Sequence, residues 1–201
     1  MRRKIKGPLN RERILEAAIA IFAENGMAGS SLDTIARKAK LTKAGILYHF
    51  SSKEDLLCEA AKKVVMHNLE LVAQAVDETQ PAIKQLETYY VASLRWAAEF
   101  PEEARLILLL FYQASAHDGS AQVTSDVLNK GLTRVQTYLL AAQREGSVDK
   151  GASVKDLATA IHDSLIGSFV RLGGPDRTMS PQAFIALRLR IWKTWLTPVT
   201  A

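Results

Sequence analysis

The chain has 201 residues, 48% of them hydrophobic and 23% charged. That composition supports a folded core and excludes intrinsic disorder. The longest apolar run, Leu106 to Tyr112, is too short to span a bilayer, and the single Cys58 excludes an internal disulfide and a cysteine-based metal site.

The net charge of +5 is unevenly placed. Residues 1–55 carry 11 Lys/Arg against 6 Asp/Glu, which is the whole excess, while the 15 and 15 in the rest of the chain cancel. A basic end on a neutral body suits a polyanion partner, although a basic tail that only aids solubility has the same composition. No apolar stretch follows the basic start Met1-Arg2-Arg3-Lys4. The expectation is therefore no signal peptide, no membrane partner and a cytoplasmic location.

Apolar residues recur at i, i+3, i+4 and i+7 along most of the chain, and period-two alternation is not sustained. An all-α protein of about nine helices is expected. The first runs from an Asn10 cap to Asn25, with Ile14, Leu15, Ala18, Ile21 and Phe22 on one stripe and Gly26 as the stop. The second spans Leu32 to Ala39, and Thr42 caps a short third, Lys43 to about His49. Ser51-Ser52 with Glu54-Asp55 reads as a capping box opening a long fourth helix to about Glu78.

Pro81 is placed at the first turn of a fifth helix ending near Glu99, and Pro101 starts a sixth to about Ser115. A loop at 116–121 precedes the seventh helix, Gln122 to Glu145. The eighth, Val154 to Leu172, stops at Gly173-Gly174-Pro175, and the ninth runs from Ser180-Pro181 to before Pro198.

The short second and third helices, joined through Lys40-Leu41-Thr42, have the layout of a helix-turn-helix. Ile35 and Ala36 are expected to pack on Ile46 and Leu47, with Leu41 in the corner. The groove-facing end is then Thr42, Lys43, Ala44 and Gly45. Lys43 can donate to guanine or phosphate, Ala44 offers a methyl to thymine, and Gly45 lets the backbone come close. Tyr48 and His49 can reach backbone oxygens, and Lys53 adds charge beside the free N–H groups of the next helix.

Gly26 to Leu57, GMAGSSLDTIARKAKLTKAGILYHFSSKEDLL, resembles the DNA-binding segment of the TetR family of transcriptional regulators. The preceding RILEAAIAIFAENG resembles that family's first helix. The resemblance implies an N-terminal three-helix DNA-binding domain (1–52) and a larger helical effector-binding and dimerisation domain (53–201). It implies a ligand-responsive homodimer, mostly repressing, on a double-stranded operator. By position, Thr42, Lys43 and His49 match family DNA contacts and Lys53 a phosphate-binding lysine. Many members carry tyrosine where this chain has Leu47, with Tyr48 one place later. Leu47 is expected to face the core. Tyr48 either meets DNA or covers the seam beside Phe50, and Arg37 and Lys38 are either DNA contacts or a solvated face. The tail Arg2, Arg3, Lys4 and Lys6 either enters a minor groove or makes no specific contact.

In the body, Trp96, Phe111, Tyr112, Tyr138, His162 and Phe169 are candidates for an effector pocket, against the alternative that each is core. Tyr89 and Tyr90 lean to opposite faces, which places one toward a pocket and one toward solvent. The last two helices carry apolar residues on more than one face: Leu157, Ile161, Leu165, Phe184, Leu187, Ile191, Trp192 and Trp195. They are the candidate dimer interface, with a terminal core helix as the alternative.

His162, Asp163 and His117 do not have metal-ligand spacing. No Ser-His-Asp arrangement, Gly-rich phosphate loop or helical His/Glu pair is present, so no catalytic residue, cofactor or metal is expected. A ligand-binding module without DNA binding is the remaining alternative, and the intact basic turn argues against it.

Overall fold

A computed structural model describes residues 3–116, 121–175 and 178–196, with the side chains of 3–6, 115–116 and 195 outside the description. Among the described residues there are nine helices and no strand. They are α1 (Arg3–Asn25), α2 (Leu32–Ala39), α3 (Lys43–Leu47), α4 (Lys53–Ala75), α5 (Ala82–Glu99), α6 (Pro101–Ala116), α7 (Ala121–Arg144), α8 (Val154–Gly173) and α9 (Pro181–Leu196). The expected 116–121 loop is outside the described residues at 117–120, as is His117.

One boundary differs materially. α1 starts at Arg3, so Asn10 is not its cap and Pro8 lies within it. In the second turn, Pro8 gives up a single backbone hydrogen bond, and the helix continues through it.

The chain forms two compact units: Met1–Met66 with Glu102–Ser125, and His67–Pro101 with Asp126–Ala201. In the first unit, Ile14, Leu15, Ala18 and Phe22 of α1 are buried, as are Ile35, Ala36 and Ala39 of α2 and Ile46 of α3. Leu56, Leu57, Ala60, Ala61 and Val64 of α4 and Leu106 and Leu110 of α6 complete that core. Charge pairs tie α1 to α4, Arg11 with Glu59 and Lys63 with Glu12, and Arg11 also lies over the Phe50 ring at 5.3 Å.

In the second unit, α5 packs against both α8 and α9. Its buried stripe, Ala82, Leu86, Tyr89, Tyr90, Ser93, Leu94 and Ala97, follows the helical repeat. Tyr90 packs against Trp192 with the rings 5.6 Å apart and tilted by 55°, and shares a 2.9 Å hydrogen bond with Ser164. Arg188 donates to the hydroxyl and the carbonyl oxygen of Ser164. Both adjacent tyrosines are therefore interior, Tyr89 lying against Tyr138 at 5.9 Å. Neither points to solvent as expected, because α5 has packing partners on two sides.

α7 and α8 approach where Gly131 meets the buried His162, and a Cβ added at Gly131 would overlap the imidazole Nε2. Gly131→Ala is expected to cost about 1–3 kcal/mol through overpacking. Chemical denaturation of Gly131→Ala, His162→Ala and the double variant measures this. The two substitutions should be clearly non-additive, because the smaller residue at 162 makes room for the methyl.

Candidate nucleic-acid interface

The second and third helices are set by a closure at residue 40. Ser31 caps α2, its hydroxyl accepting from the Thr34 N–H at 3.0 Å. Lys40 ends α2 in the left-handed conformation, φ 55°, its N–H donating to the Arg37 carbonyl at 3.1 Å, while Leu41 N–H reaches Ala36 O at 2.9 Å. Arg13 donates to Ala39 O at 2.6 Å and takes up another terminal carbonyl. Two residues later Thr42 caps α3, accepting from Gly45 N–H at 3.1 Å.

α3 buries Ile46 completely. Leu47 does not join it: it is 46% exposed, which corrects the expectation that it faces the core. The reason is angular. A five-residue helix lying on its neighbours has one inward direction, and Ile46 takes it, so the residue 100° further round points outward.

Thr42, Lys43 and Ala44 are exposed, and Gly45 and His49 are half-buried. Tyr48 is 84% exposed, its ring meeting His49 edge-on at 5.1 Å, so it does not cover the seam beside the buried Phe50. Lys43 pairs with Asp33 at 3.2 Å across the surface. Arg37 and Lys38 are exposed. The tail side chains Arg2, Arg3, Lys4 and Lys6 are outside the described residues.

Lys53 has a second role that spacing does not reveal. Its ammonium donates to Met27 O at 2.8 Å and Ser30 O at 3.1 Å, bracing the α1–α2 connection. One of its three donors stays available. The start of α4 is closed reciprocally: Ser52 Oγ accepts from Asp55 N–H at 3.0 Å, and Asp55 accepts from Ser51 N–H at 2.8 Å.

The candidate effector residues are divided between units. Phe111 and Tyr112 belong to the first, Tyr112 being 70% exposed. In the second, Trp96 and Phe169 pack edge to face at 5.4 Å and both are buried. Tyr138 borders a groove of about 570 Å³ with Leu69, Lys130, Arg134 and Thr137. Burial pushes the Tyr89 hydroxyl up to about 12 and raises Tyr138 as well, with Arg134 opposing both shifts. Arg134 and the groove were missed in the sequence because a polar α7 face reads as solvated.

The dimer candidates also divide. Ile161, Leu165 and Trp192 are buried within the chain and present no surface, a correction explained by their packing role inside the second unit. Leu157, Phe184 and Leu187 are half-buried and Ile191 is exposed. The Trp195 side chain is outside the described residues. Among the described residues no three His, Cys, Asp or Glu side chains could hold a metal, and no helix is long and apolar enough to cross a membrane.

Comparison with known proteins places this geometry among regulators. The family model "Bacterial regulatory proteins, tetR family" matches residues 14–60. The chain is 31% identical over 110 residues to the uncharacterized HTH-type transcriptional regulator TtgW of Pseudomonas putida, covering 54% of this chain and 78% of that protein. It is 24% identical over 185 residues to the probable acrEF/envCD operon repressor of Escherichia coli (strain K12), covering 85% of this chain and 78% of the relative. The fold is similar to that of the transcriptional regulator FadR from Bacillus subtilis, solved with stearoyl-CoA. The TM-score is 0.80 at 20% identity, over 92% of this chain and 97% of that one.

Two outcomes follow from these contacts. Lys53→Met should lower stability by about 1–3 kcal/mol, since two charge-assisted hydrogen bonds to backbone oxygens are lost. Urea unfolding of the DNA-free protein reads that cost separately from any effect on binding.

His162 gives a pH signature. Burial lowers its pKa, with Asp163 opposing. Below about pH 6.5 the unfolded chain takes up a proton that the folded imidazole resists. Stability should therefore fall as pH drops from about 6.5 through the folded pKa, then level off. Denaturation midpoints across that range should lose this component in His162→Gln.

Proposed function

Because this chain belongs to the TetR family of bacterial regulatory proteins, we propose that it acts as a repressor. It is a DNA-binding transcriptional regulator and not an enzyme. In the proposed mechanism a homodimer binds a pseudo-palindromic operator in the cytoplasm and a small-molecule effector releases it. The observation that carries this reading is the exposed face Thr42, Lys43, Ala44 and Tyr48 at a capped, glycine-containing helix in the basic part of the chain.

Residues 1–52 are assigned to DNA binding and 53–201 to effector binding and dimerisation. Each α3 enters a major groove by its N-terminal end, the two about 34 Å or one helical turn apart. Thr42, Lys43, Ala44 and Gly45 face the bases, while Tyr48, His49 and the third donor of Lys53 take phosphates. The groove bordered by Lys130, Arg134 and Tyr138 supports an effector site in the body. The effector releases DNA if it binds the non-operator conformation more tightly than the operator-bound one. The second protomer covers the outward apolar side chains Leu157, Phe184, Leu187 and Ile191.

Asp33 holds one of the three donors of Lys43, so its carboxylate stands close to phosphates when Lys43 reaches DNA. In anisotropy titrations with the DNA upstream of its own gene, binding should weaken with salt at about −0.9 log units per phosphate neutralised. Lys43→Ala, which removes a base contact, should cost about 1–3 kcal/mol of binding and relax the preference for this DNA over an unrelated duplex. Asp33→Asn should bind a few-fold more tightly and discriminate less between this DNA and an unrelated duplex. Binding by the unaltered protein that is absent, or indifferent to salt and sequence, would sink the proposal.

A further inference from the structure

Three described residues have positive φ, and each follows a helix: Gly26 at 65°, Gly146 at 78° and Lys40 at 55°. Glycine enters this region freely, whereas the Cβ of any other L-residue crowds the following carbonyl oxygen. The chain thus uses glycine at two of these stops and lysine at the third.

The conformation at 40 is required by its surroundings. The Lys40 N–H to Arg37 O and Leu41 N–H to Ala36 O bonds are the paired closure of a Schellman turn, which needs a left-handed residue at this place. That closure brings Thr42 to the α3 cap two residues later. Glycine would make the same turn with less strain.

Lysine must therefore be accounted for by its side chain. The field at the α2 C-terminus favours a cation, but Arg37 and Lys38 already supply two in the last turn. Lys40 is exposed, and its ammonium has no partner among the described residues. Lys43 and Lys53, in contrast, are engaged with Asp33 and with backbone carbonyls. Strain at a residue that a glycine would relieve marks a functional constraint.

We infer that Lys40 is a DNA-backbone contact: its ammonium, carried on the turn that leads into the groove-facing helix, binds a phosphate at the edge of the major groove. This rests on the DNA-binding reading above. The phosphate contact fixes the register of α3 and is indifferent to base sequence. The turn gives up some stability to carry the charge at a point fixed by the two closing hydrogen bonds.

The test compares Lys40→Gly, Lys40→Asn and Lys40→Arg in the full chain, by thermal unfolding without DNA and by salt-dependent titration of the upstream duplex. Glycine should raise the unfolding midpoint by about 2–4 °C. Glycine and asparagine, which both accept the left-handed conformation, should each make the log–log salt slope shallower by about 0.9 per protomer. Affinity should fall roughly tenfold for a dimer at physiological salt, on related and unrelated sequences alike. Arginine should keep the wild-type slope.

A glycine variant that is less stable overturns the strain argument. A glycine or asparagine variant that weakens binding with an unchanged slope overturns the phosphate contact, because a merely disturbed turn changes affinity without changing counterion release. Failure of the unaltered protein to bind DNA in a salt-dependent way overturns the underlying reading and this inference together.

Discussion

α3 is five residues long, and an isolated helix of that length does not form in water. Everything the DNA-facing surface does depends on that helix being held from outside. Burial of Ile46 supplies about 1.5–3 kcal/mol and the Thr42 cap about 1. The left-handed turn at Lys40 sets where the helix begins. Gly45, with a propensity cost near 1 kcal/mol, is tolerated because propensity is not what makes this segment helical. Its contact with Thr42 Oγ1 is spacious enough for a methyl, 3.4 Å from a built Cβ. Small size at Gly45 is therefore not demanded by packing within the chain, which agrees with the proposed approach of its backbone to DNA.

The surrounding charges share one pattern. Lys43 is paired with Asp33, Lys53 with two carbonyl oxygens, and Arg13 with the end of α2. A cluster of cations in a small unit repels itself, and each of these contacts offsets part of that repulsion. The same contacts make the cations unequal toward DNA. The Lys43–Asp33 pair is exposed, and such pairs hold at most about 1 kcal/mol. Lys53 keeps its brace and offers only its remaining donor. Lys40 is exposed and its ammonium has no partner among the described residues. Counting basic residues would treat all three alike, and their hydrogen bonds separate them.

Several helix starts and stops were legible because they rest on local chemistry: Thr42, Ser52 with Asp55, and Gly26 each act within three or four residues of themselves. Asn10 misled as a cap because a residue type that suits a helix start is also tolerated inside a helix, and the second-turn Pro8 before it forfeits only one bond. Leu47 misled for a different reason. Its apolarity suits the core, but facing is decided by where α3 lies against its neighbours, and periodicity over five residues cannot fix that phase. The second role of Lys53 joins residues 23 and 26 positions apart, beyond any local pattern. The candidate pocket was the least legible, since core and pocket linings are both aromatic and only packing tells Trp96 and Phe169 from Tyr138.

The apolar residues of α8 and α9 divide between the core and the surface. Apolar residues on several faces suggested an interface, and part of that excess is consumed internally. Ile161, Leu165 and Trp192 pack inside the unit because α5 offers Tyr90, Leu94 and Ala97 as a buried counterface. What is left over is a narrower set: Ile191 and Val170 exposed, with Leu157, Phe184 and Leu187 half-buried. Arg171 lies over the Phe184 ring at 5.5 Å, so a cation already shields one of them. The outward side chains of α9, Phe184, Leu187 and Ile191, recur at i, i+3 and i+7 and so share one face, which is the face a second copy of the chain would cover in the proposed homodimer.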